Sequence, residues 1–376
     1  MFVLVTLAYN GILSESKNLK QDILAGNRAE AWYEIRYGSN GGSDPNRGVA
    51  KRRYYESEMF GLYDNQTAPT LDEAKQAYRM LQKHRTDIMS YEALYGLTPD
   101  GVRGTSHPTT GDDQRTGLEL AQSLGISVLS MLPKQKVSNV VESFESAKTV
   151  ILADLRTQYA SNPDLTAKLQ ADSFKSTDIY LNPAKPADAN RTSAMHVSLL
   201  SYNQNSLLIG MDQWDILTGG NGNDVLIGDA GNDELTGGAG ADVIHGGAGS
   251  DQITGGTGDD TLIGGAGHDT YYYKAGDGND RILDTGDSTI VLTDADGTRR
   301  TIGTVFNTGG NLWTTADGSI ALTHNSPWTI TFEDGGTIEL GESFQEGDFG
   351  INLMDAPVNP TTTNSIIGDL QPILSN

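Results

Sequence analysis

Residues 219–256 read GGNGNDVLIGDAGNDELTGGAGADVIHGGAGSDQITGG, with glycine or aspartate at nearly every second position and few apolar residues. Glycine loses the most backbone entropy on ordering and crowded carboxylates repel, so the stretch should resist folding. Written in nines it falls into register: GGNGNDVLI, GDAGNDELT, GGAGADVIH, GGAGSDQIT, GGTGDDTLI and GGAGHDTYY, preceded by a weaker copy from Gly210, GMDQWDILT. The sixth position is always aspartate: Asp215, Asp224, Asp233, Asp242, Asp251, Asp260 and Asp269. The eighth is always apolar: Leu217, Leu226, Leu235, Ile244, Ile253, Leu262 and Tyr271. A flexible glycine-rich linker has no reason to keep either position. The period predicts six-residue turns alternating with three-residue strands, two units closing one coil of a parallel β-roll.

Stacking brings aspartates two repeats apart to roughly 4.8 Å, the strand spacing. Two like charges at that distance cost on the order of 1 kcal/mol in water and several times more at an effective dielectric near 20. Repeated along a ladder, this repulsion exceeds what the few inward side chains return. A hard divalent cation reverses the sign. Calcium accepts six to eight oxygens, and the turns offer the aspartates plus glycine carbonyls left unobstructed. The expected metal residues are therefore those aspartates, with first-position glycines Gly219, Gly228, Gly237, Gly246, Gly255 and Gly264 and fourth-position glycines Gly222, Gly231, Gly240, Gly249, Gly258 and Gly267. Magnesium, with its tight octahedral geometry, suits them less. Binding energy then becomes folding energy.

This motif resembles the nonapeptide of the RTX (repeats-in-toxin) calcium-binding proteins, over about 210–287. DTYYYKAGDGNDRILD is similar to that family's closing repeat, with Tyr271, Tyr272 and Tyr273 expected to cap the roll. The resemblance implies a secreted bacterial protein, exported by a type I apparatus and folding outside the cell with several bound Ca2+ ions. His245 and His268 occupy different repeat positions, nine and five, so they do not converge and read as surface residues.

From Ser288 the pattern changes to short alternating strands divided by the hairpin signals DADG and EDGG. It resembles the β-rich segment that follows the roll in RTX proteins, expected to cap the open edge. Trp313, Trp328, Phe332, Phe344 and Phe349 read as its core. APVNPTTTNS, further on, reads as a linker.

The first 200 residues are patterned as helices, at about 2–9, 19–36, 47–60, 71–94, 116–131, 137–159 and 165–172. TLDE (70–73) is a capping box. The many charges of the 71–94 helix suggest a partial spacer. FVLVTLAYNG and NRAEAWYEIRYGSNGG…RGVAKRRYYESEMFGLYD resemble the C-terminal lobe of phage-type lysozymes, through Trp32, Gly48, Arg52, Arg53, Glu56 and Phe60. That resemblance implies a parent that cleaves peptidoglycan. The acid-bearing lobe that should precede it has no room ahead of Asn10. Glu145 and Asp154 stand nine apart on one predicted helix and face opposite ways, so they cannot flank one bond. Glu34, beside Trp32 and Tyr33, remains as a weak catalytic candidate.

The bulk numbers agree. The net charge of −23 argues against nucleic acid as a partner, since phosphate binding needs basic clusters. Between 210 and 290 fifteen acidic residues meet two basic ones, Lys274 and Arg281. Cysteine is absent, which removes disulfides and thiolate metal sites, and no run is long enough for a transmembrane segment. The expected fold class is multidomain α + β, with a helical N-terminal half, a calcium-binding parallel β-roll and a β-rich capping segment. Expected boundaries are 1–64 for the lysozyme-like remnant, 65–200 for the helical region, 201–287 for the roll, 288–356 for the cap and 357–376 for the linker. The expected function is calcium binding in a secreted toxin- or effector-like protein, leaning away from enzymatic activity in this chain. An active lysozyme-like glycoside hydrolase and an adhesin or surface-layer stalk stay open as alternatives.

Overall fold

The computed structural model describes residues 17–37, 57, 60–95, 140–170, 173–181, 196–199, 202–210, 212–284, 287–341 and 344–355. The helices expected at 2–9 and 116–131, nearly all of that at 47–60, and the linker lie outside the described residues. Five helices are described: α1 (Lys17–Ala25), α2 (Arg28–Arg36), α3 (Leu71–Tyr95), α4 (Val140–Gln158) and α5 (Pro163–Lys168). The single helix expected over 19–36 is two, because Gly26 adopts φ 74° and ends α1, with the Asn27 N–H donating back to the Asp22 carbonyl at 2.8 Å. Thr70 and Glu73 form the expected box: the Thr70 N–H donates to Glu73 Oε2 at 2.8 Å and the Glu73 N–H to Thr70 Oγ1 at 3.3 Å. α3 is no spacer. Ala74, Ala77, Tyr78, Leu81 and Ile88 bury one side of it, and Tyr78 meets Phe144 of α4 edge-on at 5.4 Å.

The chain then winds into a β-roll of about five turns. Its strands are β1 (Ile179–Leu181), β2 (His196–Ser198), β3 (Leu207–Ile209), β4 (Ile216–Thr218), β5 (Val225–Ala230), β6 (Glu234–Ala239), β7 (Val243–Ala248), β8 (Gln252–Thr257), β9 (Thr261–Ala266), β10 (Thr270–Lys274), β11 (Asn279–Ile282) and β12 (Thr289–Thr293). Alternate strands pair in parallel: β1-β3-β5-β7-β9-β11 in one sheet and β2-β4-β6-β8-β10-β12 in the other. Through the centre the register is 18 residues, as in Val225↔Val243↔Thr261. The sheets thus begin ahead of residue 201. The strands are also longer than expected. β5 to β9 run through the first three positions of the next repeat, so the turn proper is positions four to six. Glycine permits this: a Cβ on Gly247 (φ 120°) would collide with the Asp229 carbonyl of the preceding coil.

Inside, the eighth-position residues stack from Leu208 through Leu226, Ile244 and Leu262 on one sheet and from Leu217 through Leu235, Ile253 and Tyr271 on the other. Positions seven and nine point outward and differ between the sheets. On the β4–β8 side they are Glu234, Thr236, Gln252 and Thr254, half-buried or exposed. On the β3–β9 side Leu207, Ile209, Val225, Ile227, Val243 and Ile263 join one buried cluster with Trp32, Tyr78, Leu81, Phe144 and Leu152. The helices therefore share their main core with the roll, while Leu19, Ala31 and Ile35 of α1 and α2 form a small cluster of their own. Polar contacts mark the same seam: Arg281 Nη1 reaches both Asp164 oxygens at 3.1 Å, and Lys168 Nζ reaches the Ala241 carbonyl at 3.4 Å.

Seven further strands follow: β13 (Arg299–Thr301), β14 (Thr304–Gly309), β15 (Leu312–Thr314), β16 (Ile320–His324), β17 (Trp328–Phe332), β18 (Thr337–Leu340) and β19 (Asn352–Met354). β18 pairs in parallel with β11 and extends that sheet as an antiparallel run back through β17, β16 and β15 to β14. Both expected hairpins are present, with Gly297 at φ 85° and Gly335 at φ 89°. Phe344 and Phe349 are buried; Trp313, Trp328 and Phe332 pack partly buried beside them.

The shared core makes a prediction. Ile227→Ala, on the outer face of the roll, should cost about 2–5 kcal/mol and lower the helical and β transitions together in calcium-saturated thermal unfolding. A shift of the β signal alone would mean two independent cores.

Candidate metal centre

Each sixth-position aspartate stands directly ahead of a strand, so its side chain lies beside the backbone N–H of the aspartate one coil earlier. Asp215 N–H donates to Asp233 Oδ1 at 2.7 Å, Asp224 to Asp242 at 2.7 Å, Asp233 to Asp251 at 2.8 Å, Asp242 to Asp260 at 2.8 Å and Asp251 to Asp269 at 2.9 Å. Two ladders result, one along each sheet. All seven carboxyls are buried, none more than 2% exposed. The Oδ1 atoms are satisfied in this way, whereas Oδ2 of Asp233, Asp242, Asp251, Asp260 and Asp269 is buried with no hydrogen-bond partner.

Asp224 differs, its Oδ2 accepting the Gly220 N–H at 2.7 Å; at those five, the orphaned carboxylate oxygen is costly, since a buried charge needs a partner. Burial pushes these acids up, and stacked neighbours add to it against the pull of the N–H bonds. Asp233 rises to about 7 and Asp242 to about 8, while Asp251 and Asp260 rise to about 6. Protons or a cation must compensate.

The surroundings of Oδ2 fit a cation. A Cβ on Gly237 would fall on Asp242 Oδ2 and the Gly255 carbonyl. At Gly228 it would meet Asp233 Oδ2 and the Gly246 carbonyl, and at Gly246 Asp251 Oδ2 and the Gly264 carbonyl. First-position glycines thus keep open a space bordered by a carboxylate and a carbonyl from the next coil. Fourth-position glycines approach the preceding coil instead: a Cβ on Gly240 would strike the Gly222 carbonyl, and one on Gly249 the Gly231 carbonyl. Among the described residues no three acidic or imidazole side chains converge as a ready cation cage. An ion here would combine few carboxylates with carbonyls, the donor mix that suits calcium.

The ladders extend past the repeats read from sequence. Asp260 N–H donates to Asp280 Oδ1 at 3.2 Å, across 20 residues. On the other row Asp269 N–H meets Ser288 Oγ at 3.1 Å. At the opposite end the register Ile179↔Leu207↔Val225 sets Asp178, Ser206 and Asp224 in one row. Asp280 was visible in GDGND but displaced by two residues; Asp178 lies outside any repeat and gives no sequence signal.

His268 is exposed as expected. His245 is half-buried, not exposed. It lies under the helices, its ring 4.9 Å from that of Tyr159, with Nδ1 buried and unpaired, and burial lowers its affinity for a proton.

In the helical layer, Trp32 is core and Glu34 accepts a hydrogen bond from Asn18 Nδ2 at 3.3 Å. Glu145 pairs with Lys148 at 2.9 Å and Asp154 with Lys75 at 3.9 Å, in separate ion pairs. Gly48, Arg52, Arg53 and Glu56 lie outside the described residues.

A family model described as the RTX calcium-binding nonapeptide repeat (4 copies) matches residues 209–244, 236–271 and 245–282. These residues therefore carry RTX calcium-binding repeats. No curated protein matches the chain.

Two predictions follow from the ladder's chemistry. Carboxyls raised in the fold stabilise it below their unfolded value of about 3.9 and lose that contribution as pH rises through 6 to 8. In chelator, circular dichroism should show more β structure at pH 5 than at pH 8, and added calcium should reverse the order. Gly237→Ala, which fills the space before Asp242 Oδ2, should raise the calcium concentration for half-folding by on the order of tenfold, about 1.4 kcal/mol. An unchanged midpoint would place the ion elsewhere.

Proposed function

We propose that this chain is the calcium-dependent part of a secreted bacterial protein, in which ions held along the two ladders fold the roll and, through it, the helical layer. The reading rests chiefly on the buried, unpartnered Oδ2 atoms of Asp233, Asp242, Asp251, Asp260 and Asp269. Calcium bound there supplies fixed positive charge between stacked carboxylates. The aspartates from Asp215 to Asp269 are its carboxylate ligands, and the first- and fourth-position glycines from Gly219 to Gly267 provide carbonyls and room. Asp280 joins them at the end.

Export fits the same chemistry. A chain whose carboxylates repel without calcium stays unfolded where calcium is scarce and folds where millimolar calcium is present, the range in which extracellular modules bind. Type I secretion is the route we assign. No described helix is long and apolar enough to cross a membrane. The β13–β19 segment caps the roll, supported by the β11–β18 pairing and by Tyr273 stacked on Phe332 at 4.4 Å.

A toxin or effector role belongs to this proposal only as the setting in which such modules act. The lysozyme-like reading of 1–64, and with it peptidoglycan as a partner, finds no support in the family match, which lies within 209–282. A stalk also fits poorly, since about five turns at roughly 4.8 Å each rise only about 25 Å.

Calcium added to the chelated full-length chain should convert far-ultraviolet disorder to β signal at about 0.1–1 mM, with magnesium much less effective. Asp242→Ala and Asp251→Ala should raise the midpoint more than Asp215→Ala, because central turns have neighbours on both sides. A chelated spectrum identical to the loaded one would overturn the proposal.

A further inference from the structure

The roll keeps an 18-residue step until Asp260 and Asp280, where stacked partners stand 20 apart. Tyr272 is still 18 residues from its partner Thr254, whereas Gly278 stacks on Gly258, so the two added residues fall between them, where the turn Ala275–Gly278 lies against the hairpin between β17 and β18. Asp277 lies in that turn, 1% exposed. Its Oδ2 accepts the Lys274 N–H at 2.8 Å, while Oδ1 is buried with no hydrogen-bond partner. This repeats the arrangement of the ladder carboxylates, one oxygen held by an N–H and the other orphaned. Asp277, however, occupies the third position of its repeat, outside the ladder row.

Asp334, from the EDGG hairpin, reaches the same turn. Its Oδ2 accepts the Gly276 N–H at 2.7 Å and its Oδ1 the Gly336 N–H at 3.1 Å. Burial pushes Asp277 up and the charge of Asp334 adds to it, with Lys274 opposing. Asp334, Asp280 and Asp277 all act on the Tyr273 hydroxyl, which burial already holds in its neutral form. That hydroxyl donates to the Gly278 carbonyl at 3.1 Å. Backbone N–H groups thus hold two carboxylates near each other, one of them with a buried free oxygen. The nearby cationic side chain, Lys274, is exposed.

We propose that Asp277 and Asp334 form a further calcium site, separate from the ladders, that fastens the β17–β18 hairpin to the end of the roll. The proposal rests on the calcium reading of the ladders. The donors are all oxygens, two carboxylates with the Gly278 carbonyl beside them, a hard set suited to calcium over zinc or copper. Asp334 lies beyond the matched repeats, which end at residue 282, so the site belongs to the junction and not to the repeat.

The test counts ions bound by the full-length chain at saturating calcium, by equilibrium dialysis with radiolabelled calcium. Asp277→Asn, Asp334→Asn and the double variant should each bind one ion fewer than wild type, while Glu333→Gln, the neighbouring exposed acid, keeps the full count. Asp334 is exposed, so Asp334→Asn should retain the loaded β spectrum even if Asp277→Asn disturbs the roll. A folded Asp334→Asn with an undiminished count overturns the site. A double variant that loses two ions overturns a single shared ion. Wild type that binds no calcium at all would instead sink the ladder reading.

Discussion

The structure depends on one constraint: a column of buried carboxylates that the protein satisfies only halfway. Each Oδ1 takes the N–H of the preceding coil, and that bond locks the coils at a single spacing. Each orphaned Oδ2 then asks for positive charge from outside the chain. The glycines follow from the same demand. Where a first-position Cβ would stand, the fold keeps oxygen-lined space, and the backbone entropy lost in ordering so much glycine must be returned by whatever fills it.

The roll is thin, with about one inward side chain per repeat. Its two outer faces meet this shortage differently. One leaves Glu234, Thr236, Gln252 and Thr254 to water. The other carries Val225, Ile227, Val243 and Ile263 against α3 and α4. Apolar burial under the helices thus adds to the hydrogen-bonded ladder, and each needs the other: the outer face exists only when the coils are stacked. His245 sits half-buried at this seam, where burial lowers its affinity for a proton.

Much of this was legible in the sequence where one residue type answers one physical need. The sixth-position aspartate, the eighth-position apolar residue and the Thr70–Glu73 box are of this kind. The docking face was also written there, as an 18-residue alternation at positions seven and nine, Val225 and Ile227 against Glu234 and Thr236. A nine-residue reading averages that signal away. Strand length was hidden because glycine has no side-chain pattern to mark a face. Asp178 and Asp280 were obscured by spacing, since stacking follows the sheet register and not the count of residues along the chain. Of the three tyrosines at the roll's end, Tyr271 and Tyr273 are buried where the roll meets the following strands, with Tyr273 stacked on Phe332, whereas Tyr272 is half-exposed.

How the ladders stop follows from what a carboxylate needs. Adding another coil brings another buried charge, so a row can end only where a different group takes the place of the next carboxylate. On one row Ser288 does this: its Oγ meets the Asp269 N–H without adding charge. At the start of the other row Ser206 stands between Asp224 and Asp178, interrupting the stack of carboxyls. Burial pushes Asp178 up, but the Tyr202 hydroxyl at 2.8 Å and the charge of Arg85, on α3, pull it back. Asp178 Oδ2 nonetheless stays buried with no hydrogen-bond partner, and Arg85 donates to the neighbouring Thr177 carbonyl. The first acid of the row thus repeats the half-satisfied state of Asp242 and Asp260 further along it, with a guanidinium from the helical layer beside it, so helix docking bears on the same row of oxygens.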